Sequence, residues 1–284
     1  MKSSNSNDTN SLPTKLILFL FFISGALALV YQVVWSRVMT HVFGSTAMAV
    51  GTVIAAFMAG MAVGSWWFGK LADRSKNGLR MYAMIEIGIA VTALLAHLAL
   101  NVLDTAYPVI YQWVSGSELL IGSVRFLLAF LLVMMPTILM GATLPVLTRL
   151  LAMNSREAGR SLSTLYAVNT LGAVAGVLLT GFFLIGHFGI HVPVYMAVAG
   201  NLAVGLVALF LAQGKSGRSA PEKPAGGART VPEFSPQHLS PGVYRLVLLG
   251  LGVSGLTSFA YEIYWTRSLV FILGNSTYAL TTML

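Results

Sequence analysis

Three ionisable residues, Glu86, Arg125 and Glu262, lie within apolar runs long enough to cross a membrane, and Gln32 and Asn169 add side-chain amides in the same setting. A charge at the centre of a bilayer helix costs about 2.5–3.5 kcal/mol on insertion scales, so such groups normally face the protein interior. A carboxyl placed there can hold a proton or a cationic amine, and a guanidinium can hold an anion. The alternative for each is a hydrogen-bonded contact between helices. Glu86 falls about one and a half turns into the third apolar run, and Arg125 about as far into the fourth from the opposite side. At about 1.5 Å per residue across a core of about 30 Å, the two differ in depth by roughly 13 Å, which argues against a direct ion pair. Glu262 falls near the far end of the seventh run. These five residues are the candidate substrate- or proton-binding groups.

Other chemistry is excluded. The chain has no cysteine, so disulfides, thiolate metal sites and cysteine nucleophiles are absent. The five histidines are scattered; His187 and His191 have helical spacing, but Gly186 and Gly189 beside them predict a turn, and no metal site is expected. Gly250-Leu-Gly252-Val-Ser-Gly255 spells a dinucleotide fingerprint, which requires a preceding strand, and here it lies inside an apolar run. The segment from Gly64 to Lys70 spells the start of a phosphate loop, but Leu71 stands where the Mg²⁺-binding hydroxyl should be. There is no HExxH, no GxSxG and no pair of catalytic carboxylates, so no catalytic residue is assigned.

The elements that position the candidate groups follow from composition. Of 284 residues, 56% are hydrophobic and 9% charged, against about 25% charged in soluble domains. The net charge of +8 does not indicate nucleic acid, because the Lys and Arg residues cluster in short segments between apolar runs. About 20 apolar residues span a bilayer core. Runs of that order occur at Leu16 to Trp35, Ala47 to Phe68, Met81 to Leu103, Leu119 to Met140, Leu162 to Ile185, Val192 to Leu211 and Tyr244 to Tyr264, and an eighth begins near Tyr278. The first is too long for the apolar region of a signal peptide, and its far end recurs deep in the chain. The fold class is therefore all-α and polytopic. Pro136, with Gly141 and Pro145 after it, predicts a kink or a break in the fourth helix. Gly60/Gly64 and Gly172/Gly176 are GxxxG pairs suited to close helix packing, within the chain or between copies.

The stretch from Ser24 to Arg37, SGALALVYQVVWSR, returns without a gap as SGLTSFAYEIYWTR from Ser254 to Arg267. Ser24/Ser254, Gly25/Gly255, Tyr31/Tyr261, Trp35/Trp265 and Arg37/Arg267 are identical pairs. A repeat at this separation indicates two copies of one architectural unit. Residues 1–14 read as a polar cytoplasmic tail, 15–211 as a six-helix membrane repeat, 212–241 as a cytoplasmic linker, and 242–284 as the start of a second repeat cut short. Lys and Arg concentrate at 70–80, at 149–160 and in the linker. They are absent from 104–118, which predicts a cytoplasmic N-terminus in a bacterial inner membrane. A parallel repeat of six helices is the arrangement of major facilitator halves. Tyr31, Trp35 and Arg37 read as an anchor at the membrane interface, with a ligand contact as the alternative.

Two resemblances extend this reading. Gly69 to Arg80, GKLADRSKNGLR, resembles the cytoplasmic loop signature of major facilitator proteins, and this implies a conformational latch at Asp73, Arg74 and Arg80. More of the chain resembles the membrane portion of bacterial fused major-facilitator/spermidine-synthase proteins. The residues that carry this are the two copies of the SG…YxxxW motif, FGST from Phe43, AAFMAGMAVGS from Ala55, GKLADR from Gly69, MGATLPVLTR from Met140 and LYAVNTLGAVAG from Leu165. That resemblance implies a soluble domain, missing from this chain, which would transfer an aminopropyl group from decarboxylated S-adenosylmethionine to a diamine. It implies no cofactor in the chain itself. The expected partners are the lipid bilayer, the missing second repeat and soluble domain, and a further copy of the chain. Transport by the membrane part alone and a purely structural anchor are the alternatives. For a polyamine cation Glu86 and Glu262 are suitable groups, and Arg125 opposes it.

Overall fold

The structure, a computed structural model, describes residues 11–43, 46–75, 77–114, 118–151, 155–214, 240–274 and 276–284. Among them the chain is helical and contains no strand. The helices are α1 (Ser11–Phe43), α2 (Thr46–Arg74), α3 (Gly78–Val114), α4 (Glu118–Leu151), α5 (Ser155–Leu179), α6 (Ile185–Phe188), α7 (Val192–Gly214), α8 (Pro241–Leu273) and α9 (Ser276–Met283). A π-helical turn, Thr180–Leu184, joins α5 to α6. Among the described residues seven stretches are long and apolar enough to cross a membrane. They coincide with the seven apolar runs and extend several of them: the first covers Thr14–His41 and the fourth Gly122–Leu151. Most of the expected linker lies outside the described residues.

Helices α1, α2, α4, α3 and α7 each pack on the next, with α7 closing back on α1, and α5 packs on α1 and less extensively on α4. Small residues set these contacts. A side chain at Gly64 would run into the Ile138 carbonyl of α4, and one at Gly141 into the Met61 carbonyl of α2. Gly172 and Gly176 of α5 sit in the same way against the carbonyls of Phe22 and Ala26 on α1. Without a hydrophobic drive between helices in lipid, such close approach supplies the dispersion contacts that hold them together. Both GxxxG pairs are thus used within the chain.

Pro136 neither breaks nor ends α4, which runs through Pro136 and Pro145 to Leu151. Proline in a membrane helix is tolerated where neighbouring groups occupy the loosened backbone. Here the Thr137 hydroxyl lies 3.2, 3.1 and 2.9 Å from the carbonyls of Ala56, Val133 and Met134 and shares its proton among them. The turn expected at Gly186 and Gly189 forms at Gly189, whose φ of 74° suits glycine alone.

Helices α8 and α9 pack against the helices before them, α8 on α2 and α9 on α1, α5 and the π-helical turn. Ile263 of α8 packs with Val50 and Ile54 of α2 and Leu280 of α9. At the π-helical turn, Thr281 of α9 lies against Gly181, and Phe182 stacks on Tyr278 with ring centroids 5.4 Å apart. Most of α8 is exposed, with Thr266 buried and Phe259, Glu262 and Ile263 partly buried on its inward side.

Candidate functional site

The best-defined polar site lies between α1, α3 and α7. Glu86 is fully buried on α3. Counting from Gly78 at about 1.5 Å per residue puts it about 12 Å inside the end of the span. Asn201 of α7 donates from Nδ2 to Glu86 Oε2 at 2.7 Å. The Tyr31 hydroxyl of α1 in turn donates to Asn201 Oδ1 at 2.9 Å. The amide thus links the tyrosine to the carboxyl, and one chain of bonds ties three helices together. Ser24 and Tyr82 face the same carboxyl. Glu86 Oε1 and the Tyr82 hydroxyl nevertheless make no hydrogen bond. One carboxyl oxygen is therefore held by Asn201.

The helix register explains the gathering. Tyr82 and Glu86 are one turn apart on α3, so both point the same way. Tyr31 and Trp35 are likewise one turn apart on α1, and their rings stack at 5.1 Å. Both are fully buried. This corrects the expectation that they anchor the chain at the membrane interface: α1 is enclosed by its neighbours, and the two rings face the core rather than lipid headgroups. Arg37 is partly buried.

The structure does not gather the candidate residues into one site. Gln32 is buried on α1. Asn169 is half-buried on α5, where its backbone carbonyl and its Oδ1 lie against Gly25 of α1. Glu262 is half-buried on α8, with Oε1 buried and unbonded. Among the described residues none of these three bonds to Glu86. Arg125 belongs to α4, but its side chain lies outside the described residues. The residue that completes the cluster, Asn201, is one amide in the apolar run from Val192 to Leu211. Its i, i+4 neighbours are Ala197 and Gly205, and nothing on its own helix marks it.

At the loop between α2 and α3, Asp73 Oδ1 pairs with Arg149 of α4 at 2.8 Å, and Arg149 also reaches the Asp73 carbonyl at 3.3 Å. Arg74 lines a shallow cavity with Trp66 and Trp67. The Arg80 backbone N–H donates to Asn77 Oδ1 at 3.0 Å, capping α3. The histidines are not all scattered. His97, buried on α3, has Nε2 3.3 Å from Nδ1 of His191 at the start of α7, and Tyr195 meets the His97 ring edge-on. This pair joins the other end of the α3–α7 seam.

Together these features define a multi-pass helical membrane protein with a polar cluster in its core. The chain is similar to Polyamine aminopropyltransferase 1 of Streptomyces coelicolor, with 26% identity over 212 residues, 72% of this chain and 35% of that protein. The chain spans about a third of the length of that relative. The match is too long to fit outside the apolar spans, so it runs through membrane-type sequence. No protein-family model matches the chain. No solved structure matches it either.

Proposed function

We propose that this chain is the membrane module of a polyamine-aminopropyltransferase-like fusion protein, built as a major-facilitator-like six-helix half with the start of a second. Aminopropyl transfer from decarboxylated S-adenosylmethionine belongs, in this reading, to a soluble domain outside residues 1–284. The observation that carries the proposal is a similarity to a polyamine aminopropyltransferase that extends through the apolar spans. The module sits in a bacterial inner membrane with its N-terminus in the cytoplasm, as the distribution of Lys and Arg favours. The test is aminopropyl transfer to putrescine in membranes of cells expressing the whole native gene, beside membranes expressing residues 1–284. Activity held in the membrane fraction by the whole product and absent from residues 1–284 is the expected result. A native product of the same mass as residues 1–284 would defeat the fusion reading.

A second reading is favoured by one observation. A buried carboxyl hydrogen-bonded to Asn201 is an expense that a passive anchor does not need. In this reading the helices move a proton or a small cation past Glu86. The carboxyl is fully buried, so anything larger than a proton or a water reaches it only when the helices part. Glu86→Gln keeps the shape and the Asn201 bond and removes the charge. Loss of putrescine uptake into proteoliposomes, with unchanged expression and unfolding temperature, supports transport; unchanged uptake removes Glu86 from the path.

A further inference from the structure

The last two turns of α2 carry Trp66, Trp67, Lys70, Leu71 and Arg74 around one shallow cavity of about 420 Å³. The two tryptophans are 66% and 63% exposed. Trp66, Lys70 and Arg74 follow one another at i, i+4 spacing and so line one stripe of the helix. The Lys70 ammonium stands 3.8 Å from the centroid of the Trp66 ring, a cation–π contact that orders both groups. The nearby acid does not neutralise this stripe. Asp73 is turned to Arg149 on α4. Among the described residues Lys70 and Arg74 have no ion pair, so two positive charges stand open beside two open indoles.

This combination sits at the end of a membrane span. Indoles prefer the headgroup region, and Lys or Arg clusters next to a span attract anionic lipids. We infer that the end of α2 binds the headgroup of an anionic phospholipid, its phosphate between Lys70 and Arg74 and its acyl chains against Trp67 and Leu71. The indoles supply depth and the cations supply charge selection. A zwitterionic lipid offers the same phosphate but carries its own ammonium, which competes with Lys70 and Arg74. The inference needs only that the chain spans a membrane, and does not depend on the enzyme reading.

The test uses the purified chain in vesicles of phosphatidylcholine containing either brominated phosphatidylglycerol or brominated phosphatidylcholine at equal mole fraction. Bromine quenches indole fluorescence at short range, so quenching reads which lipid sits beside Trp66 and Trp67. Stronger quenching by the brominated phosphatidylglycerol is expected, with a preference on the order of ten-fold. It should fall to near unity in the Lys70→Gln/Arg74→Gln variant. The preference should also vanish in Trp66→Phe/Trp67→Phe, which removes both indoles from the site. Equal quenching by the two lipids in the unmodified chain would overturn the inference, and that arm needs no variant to fold. A preference that survives the double charge removal would overturn it as well. Relief of quenching by millimolar inorganic phosphate would also contradict it, since the site would then take free phosphate rather than lipid.

Discussion

Helices α1 and α8 carry the same motif in opposite surroundings. On α1, Tyr31 and Trp35 are fully buried, and Gly25 is pressed against Asn169. On α8, Tyr261 and Trp265 are 58% and 51% exposed, and Gly255 has nothing near it. The residues are the same; what differs is the neighbours. Helix α1 packs on α5, α2 and α7, with α3 also in contact. On α1 the motif is a packing surface, and its tyrosine finds a partner because α7 brings Asn201 to it. Tyr31 meets Asn201; the Tyr261 hydroxyl has no corresponding amide beside it among the described residues.

The comparison can be broken by changing one copy at a time. The largest difference is expected at tryptophan. Trp35 Nε1 makes no hydrogen bond, so the ring acts by volume. Trp35→Ala should lower the unfolding free energy by about 3–5 kcal/mol by leaving a void. Trp265→Ala, at an exposed position, should change it by less than about 0.5 kcal/mol. Denaturant titration of both variants in the same detergent makes the comparison. Glycine should give opposite signs. Gly25→Leu forces a side chain into the backbone and amide of Asn169 and should destabilise by about 1–3 kcal/mol. Gly255→Leu gains helix propensity in open space and should raise helix stability by up to about 1 kcal/mol.

A smaller effect is expected at the loop ion pair. Asp73 and Arg149 pair at 2.8 Å, but their side chains are 65% and 55% exposed. Asp73→Asn should therefore cost no more than about 1 kcal/mol, and the effect should shrink further at high salt. A thermal shift in low and high salt reads both parts. A larger, salt-insensitive loss would mean that the pair holds more than the ends of α2 and α4.

Much of the architecture was legible because a bilayer demands long apolar runs and leaves few alternatives. The seven runs and the repeat of Ser24 to Arg37 could be read directly. Helix ends could not: α4 runs through Pro136 and Pro145 to Leu151, well past Met140. The burial of Tyr31 and Trp35 was also hidden, since an aromatic pair near a span end fits a headgroup belt as well as a core. Only the packing of α1 against α2, α5 and α7 decides between them. For the site, Glu86 announced itself as a carboxyl in an apolar helix. Asn201 did not, because one amide in a run of apolar residues has no spacing partner on its own helix. Its meaning arises from α1 and α3, which are far away in the chain. The same holds for His97 and His191, which meet across helices that share no local pattern.

The account rests most heavily on the claim that the motif on α1 is built into the Glu86 cluster through Asn201, while its copy on α8 is not. A double-mutant cycle of Tyr31→Phe with Asn201→Ala, measured by unfolding in detergent, tests this directly. Coupling of about 0.6–1.7 kcal/mol is expected, the range of hydrogen bonds between membrane helices. The matching cycle of Tyr261→Phe with Asn201→Ala should be additive within about 0.3–0.5 kcal/mol. Additivity at Tyr31, or equal coupling at Tyr261, would contradict the account.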